Sequence, residues 1–189
     1  MLSAFRRCAF CFCSAFLLLA GCASSDSTLG LDAARLSSVG EPQVCPCAYV
    51  TNPGNNSVTV YAMGIARSDL RPIQTISGSK TGLYGPRSIA VDASRNIYVA
   101  NPAGAIVTVY AAGATGNVSP IATLSGYSIA VPGGIAVDSE GDIYVLNYDS
   151  ISEYAPNASG SVTPIRTIAG RHTKLTHNKG FAMAADGKD

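Results

Sequence analysis

Hydrophobic and polar residues alternate in short runs from Cys47 onward, and the runs recur. "SIAVD", "NIYVAN", "IVTVYA" and "PIATLSG" are brief, rich in β-branched and aromatic residues, and bounded by Gly, Pro, Asn and Ser. Period-two alternation of this kind predicts half-buried strands. No window shows a convincing apolar stripe at helical spacing. Polar turns separate the strands: "DASRN" and "DSEGD" between the first and second, "AGATGNVSP" and "PNASGSVTP" between the third and fourth.

Four landmarks return in constant order. Pro86 and Pro132 each open an "xxIAVD" block ending at Asp92 and Asp138. "YVxN" ends at Asn52, Asn101 and Asn147. "VTVYA" at 58–62 and 107–111 is matched by "ISEYA" at 151–155. "PIxT(I/L)xG" ends at Gly78, Gly126 and Gly170. A period of roughly 45 residues holding four strands predicts an all-β chain of four-stranded antiparallel blades, a β-propeller. One such sheet cannot bury both faces alone; stacked sheets share the "IAV", "IYV" and "VTV" side chains as a core.

The blade units span about 47–78, 86–126 and 132–170, with a partial unit at 180–189. The first lacks its first strand, and "GFAMAAD" aligns with a lone first strand. Three blades' worth of strands falls short of the usual four to eight. Three outcomes stay open: an open arc, a homodimer closing a six-bladed ring, or a truncated, non-functional propeller fragment.

The start of the chain follows another rule. Arg6 and Arg7 precede an apolar run at 8–20. Such a run rises only about 20 Å as a helix, too short to span a membrane. A basic start, a short apolar core and small residues after it predict a signal peptide at 1–21. Residues 22–46 are rich in Ser, Ala and Gly and predict a flexible tether.

Two resemblances complete the organisation. "LAGC", Leu19 to Cys22, resembles the lipobox of bacterial lipoproteins. It implies cleavage before Cys22, lipidation of that residue and a membrane anchor, with Ala23 at the next position leaning toward the outer membrane. "PxxIAVD…IYVxN…VYA" looks like the NHL-type repeats of bacterial propellers, over residues 47–189. That resemblance is specific for fold and silent on activity. The leading expectation is a non-catalytic binding or scaffold module in the cell envelope, taking a protein or carbohydrate ligand. Propeller lyases and lactonases, which gather metal ligands around a central channel, supply the alternative.

Composition narrows the chemistry. Removing 1–21 lowers Lys plus Arg from 13 to 11 against 12 Asp plus Glu, which offers nucleic acid no electrostatic footprint. Of six cysteines, only Cys45 and Cys47 lie beyond the lipobox. With one residue between them a mutual bridge is strained, so two small half-buried thiols are expected, or an intermolecular disulfide. His172 and His177 are the two histidines and the one candidate metal pair, but five apart in a loop fits neither helix nor strand spacing. No cofactor motif is found.

Asp92, Asp138 and Asp186 recur at one position, as do Asn52, Asn101 and Asn147, and both sets are read as turn-forming residues. Tyr61, Tyr110 and Tyr154 are read as packing between blades, with sugar stacking the alternative. The repeat breaks in two places: Glu153 stands at an apolar position, and the 171–179 loop is irregular.

Overall fold

A computed structural model describes residues 46–63, 71–175 and 182–186. These fall in one compact unit, 40–189. The signal peptide, nearly all of the tether, Cys22, Cys45 and His177 lie outside the described residues.

The described chain is all-β. Three strands form the first sheet: β1 (Cys47–Asn52), β2 (Ser57–Ala62) and β3 (Gln74–Ser77). The second contains β4 (Ser88–Val91), β5 (Ile97–Asn101), β6 (Ile106–Tyr110) and β7 (Ala122–Ser125). The third contains β8 (Gly134–Val137), β9 (Ile143–Leu146), β10 (Ser150–Tyr154) and β12 (Arg166–Ala169). Within each sheet consecutive strands pair antiparallel. A single 3-10 turn, Pro102–Gly104, is the one helical element among the described residues. None of the three sheets closes on itself.

Each fourth strand enters in the same way. The isoleucine before it donates its N–H to the third strand: Ile73 to Val60, Ile121 to Val109 and Ile165 to Glu153, each at 2.8 Å. The repeated Pro-Ile pair thus stands before the strand rather than in it.

The sheets stack through alternate residues. Val58 and Ile76 of the first sheet meet Ile97, Val99 and Tyr110 of the second. Val107, Val109 and Leu124 on the second sheet's other face meet Ile135, Val145 and Tyr154 of the third. Every residue of β5 is buried, because the second sheet is covered on both faces. Period two explains the division: neighbours along a strand serve opposite junctions.

The short strand β11 (Gly160–Ser161) departs from the predicted pattern. It lies in the connection between β10 and β12, read above as a plain loop, and pairs in parallel with β7 of the sheet before. Gly116, in the β6–β7 connection, makes the same parallel bridge to Ile76. Gly116 N–H donates to the Thr75 carbonyl at 2.6 Å, and its carbonyl accepts from Ser77 N–H at 3.1 Å. Val162 N–H donates to the Ser125 carbonyl at 3.0 Å. Each connection therefore clasps the outer edge of the preceding sheet. Gly116 and Gly160 sit at φ +77° and +81°, in the region that glycine enters without strain.

Two expectations need correction. Residues 182–186, expected as a first strand, form none. That segment passes beside β8, where a Cβ on Gly134 would stand 3.6 Å from the Ala182 backbone, and it pairs with no strand edge. Cys47, expected as a half-buried thiol or in an intermolecular disulfide, is disulfide-bonded, with its partner outside the described residues.

Candidate functional site

The recurrent aspartates organise the turns between first and second strands. Asp92 Oδ1 accepts Asn96 N–H at 2.8 Å, and Oδ2 accepts the Asn96 side-chain amide at 2.8 Å and the Tyr98 hydroxyl at 3.2 Å. Asp138 Oδ1 accepts the N–H groups of Glu140 and Asp142 at 3.1 and 2.9 Å, while Oδ2 accepts the Tyr144 hydroxyl at 3.0 Å. The fourth residue of each turn is left-handed: Arg95 at φ +67° and Gly141 at +90°. The tyrosine of "YVxN" is thus the partner of the aspartate six residues before it. Asp186 is exposed, and the residues that follow it lie outside the described ones.

This arrangement fixes the ionisation. Burial pushes the Asp138 carboxyl up, but the Tyr144 hydroxyl and the turn's N–H groups together hold it below its ordinary value. Tyr144 is raised to about 12, by burial first and then by its hydrogen bond to the Asp138 carboxylate and that group's charge. Tyr98 is raised to about 12 by burial and by the charge of Asp92. A cleft of about 210 Å³ runs between the two turns, lined by Asp92, Asn96, Asp138, Glu140 and Asn157 among others. Its two aspartates already hold the turns together.

The recurrent asparagines tie second strand to third. Asn52 and Asn101 donate to the Thr59 and Thr108 hydroxyls, each at 3.0 Å. Asn147 donates to Ser152 at 3.3 Å and to the Ser128 carbonyl at 2.9 Å. The central hydroxyl of "VTV" and "ISE" is thus the receiving group. Asn101 Oδ1 accepts Tyr84 N–H at 3.0 Å, whereas Asn147 Oδ1 has no protein partner.

Tyr110 and Tyr154 are fully buried between sheets. The Tyr110 hydroxyl donates to the Thr81 carbonyl at 2.6 Å, and that of Tyr154 has no protein partner. Burial raises the pKa of both phenols. The exposed rings are other ones: Tyr84, Tyr127 and Tyr148. Tyr84 lines a cleft of about 420 Å³ with Asn55, Asn56, Ser79 and Leu83.

His172 and its loop turn out to follow a repeat. Thr173 Oγ1 donates to the Gly170 carbonyl at 2.7 Å and accepts Leu175 N–H at 3.2 Å. Thr81 does the same with Gly78 and Leu83, at 2.8 and 3.3 Å. "GSKTGL" and "GRHTKL" are therefore one turn, and the signal for it was the spacing Gly-x-x-Thr-x-Leu. His172 Nε2 accepts from Arg171 Nε at 3.0 Å. Among the described residues no three His, Cys, Asp or Glu side chains cluster to hold a metal.

Glu153 is the genuine break. It occupies the position of Val60 and Val109 and is nearly buried. Directly across the strand pair stands Arg166, where the other repeats have Gln74 and Ala122. Arg166 holds both carboxylate oxygens, Nε to Oε2 at 2.7 Å and Nη2 to Oε1 at 2.5 Å. Sequence reasoning singled out Glu153 but missed Arg166, thirteen residues away and legible only once β10 and β12 are paired.

No family model matches the chain, and no curated protein matches it. Solved structures do. A functionally unknown protein from Desulfotomaculum acetoxidans aligns with 62% of this chain and 37% of its own, at 18% identity and TM-score 0.46. A humanized mutant of the Chaetomium thermophilum Polycomb Repressive Complex 2, bound to the inhibitor GSK126, aligns with 74% of this chain and 33% of its own, at 13% identity and TM-score 0.51. The chain thus spans only 37% and 33% of the lengths of these two structures, and the likeness to the second is one of fold alone.

Proposed function

We propose that this chain is a lipid-anchored module of the bacterial envelope, built as an NHL-type β-propeller or part of one, that binds or scaffolds rather than catalyses. One observation carries the non-catalytic half: the recurring polar groups serve the fold. Asp92 and Asp138 hold turn N–H groups and tyrosine hydroxyls, and Asn52, Asn101 and Asn147 hold the third strand. A general base must reach a substrate proton; these carboxylates already accept three protein donors each. Stacked antiparallel sheets, one of three repeat strands and two of four, with a recurring turn support the propeller reading.

The anchor rests on "LAGC" and the basic, apolar stretch before it. Acyl chains on Cys22 hold a protein at a bilayer with about 0.8 kcal/mol per buried methylene. In a Gram-negative host given an alkyne-bearing palmitate, the full chain takes up the label and sediments with the outer membrane. Cys22→Ser loses the label. An unlabelled wild-type chain overturns the anchor.

A further inference from the structure

The recurring polar groups serve the fold, so polar groups that break the recurrence call for another reason. The turn between β1 and β2 is such a place. "NPGNNS" (52–57) and "NPAGAI" (101–106) have the same length, and Asn56 and Ala105, at the matching position, share a φ of +50°. An alanine makes this turn as well as an asparagine does. Asn55, Asn56 and Ser57 therefore stand where the fold is satisfied with Gly104, Ala105 and Ile106. The oxygen of each asparagine side chain has a local partner: Asn55 Oδ1 accepts the Ser57 hydroxyl at 2.7 Å, and Asn56 Oδ1 accepts Gly85 N–H at 2.7 Å. Their Nδ2 groups donate to nothing among the described residues.

Both asparagines line the cleft of about 420 Å³ beside Tyr84. The rest of its lining comes from the connection between β3 and β4, which is held in place by its neighbours. Asn101 Oδ1 accepts Tyr84 N–H at 3.0 Å, and Asn56 takes the next N–H along. The Pro102–Gly104 turn lies against both residues: a Cβ on Gly85 would stand 3.2 Å from that of Ala103, and one on Gly104 would stand 3.8 Å from that of Tyr84. Tyr84 is 59% exposed all the same. A fixed backbone thus presents an exposed ring, which lowers the ordering cost of binding to it. The fold does not need that ring. The matching connection of the next repeat, "GYSIAVP" against "GSKTGLYGP", is two residues shorter and has Ala130 and Val131 before its proline.

We propose that this cleft binds a neutral saccharide. The proposal deepens the binding reading above and rests on it. No charged side chain lines the cleft among the described residues, so an ionic ligand would lose hydration there without gaining a counter-charge. The Tyr84 ring suits a ligand with an apolar face. The two Nδ2 groups, the Ser79 hydroxyl and the Tyr84 phenol suit one with several hydroxyls at its edge. A pyranose has both, with C–H groups on its faces and hydroxyls around its rim. The volume falls in the range of small-molecule sites, about 300–1,000 Å³. A peptide fits less well. Its N–H groups need acceptors, and both asparagine oxygens are already taken, whereas a sugar hydroxyl accepts from Nδ2 as readily as it donates.

Saturation-transfer NMR on the full chain tests it, in a polyoxyethylene detergent that carries no sugar. The probes are cellobiose, maltose, lactose and N,N′-diacetylchitobiose at millimolar concentration, with acetyl-trialanine amide beside them. At least one sugar takes saturation from the wild type on its ring C–H protons. Tyr84→Ala weakens that binding by about tenfold or more, on the order of one aromatic stack, and leaves the urea midpoint in place because the ring is exposed. Tyr84→Phe keeps most of the binding. Asn55→Ala gives up one donor and weakens it by about threefold. Silence across all the sugars, or Tyr84→Ala and Asn55→Ala chains that bind as the wild type does, overturns the proposal. So does transfer to the peptide alone, which makes the cleft a peptide site. Proton spectra of the same samples, followed for a day, keep the two readings apart. A bound sugar that is cleaved overturns the non-catalytic module and leaves the site standing. Silent sugars remove the site and leave the module.

Discussion

Asp138 does at the level of one side chain what the whole turn requires. Its two oxygens accept two backbone N–H groups and one phenol. Asp138→Asn turns one acceptor into a donor and leaves buried N–H or O–H groups unpaired. That costs about 1–3 kcal/mol, read as a lower urea midpoint at neutral pH. The pH dependence has two arms. The folded carboxyl is depressed below its ordinary value, so its contribution is present above the unfolded value of 3.8 and is lost as pH falls through the lower folded one. Tyr144 is raised, so its contribution is present below the unfolded value of 10.0 and is lost as pH rises toward about 12. Tyr144→Phe removes the share of Tyr144 in the alkaline arm, leaving those of Tyr98, Tyr110 and Tyr154, and leaves much of the acid arm. Stability measured against pH for the wild type and both variants checks the assignment; an unchanged acid arm in Asp138→Asn sinks it.

The clasp is an element-scale device, and glycine sets its terms. At Gly160 nothing lies within 4 Å of a Cβ, so Gly160→Ala is opposed only by its φ of +81°. That penalty is on the order of 1–2 kcal/mol. Gly126→Ala meets both an unfavourable φ of +132° and the Val162 carbonyl oxygen at 2.8 Å, so it costs more and pushes the clasp away. Denaturation midpoints should fall in that order, with faster exchange of the Val162 amide in Gly126→Ala; equal losses in the two variants would contradict the packing. The same contrast shows what the sequence could disclose. Alternation and recurrence located the strands of all three sheets, because period two and turn residues are local signals. The clasp was not legible, because a parallel bridge between different repeats leaves no local period. "TGN" and "SGS" were its only trace. Tyr98 and Tyr144 were visible as a repeat, but their hydroxyl partners lie six residues back, across a turn. The "GRHTKL" turn was likewise present in the letters and hidden by its irregular surroundings.

At the scale of the molecule, the three sheets are unequal because only the second has neighbours on both faces among the described residues. Its β5 is wholly buried, with Ile97 and Val99 in one junction and Tyr98 and Ala100 in the other. Its outer strand is clasped by β11. The third sheet lends one face to the core and keeps β12 exposed. In a stacked array each sheet is stabilised by its own pairing and by its nearest neighbours. Opening β5 therefore breaks two junctions, while opening β12 breaks only its pairing with β10. Local openings span from near zero up to the global stability, and each 1.4 kcal/mol is a factor of about ten in exchange. Interior amides of β5 and β6 should exchange more than about 100-fold more slowly than those of β12, with β1 and β2 in between. Hydrogen exchange resolved by mass spectrometry reads this directly. A flat profile across the three sheets would mean that they open as one body, and the nearest-neighbour account of this fold would fail. A profile with β12 as slow as β5 would mean that something covers the outer edge in solution, and its dependence on protein concentration would then say whether the cover is a second copy.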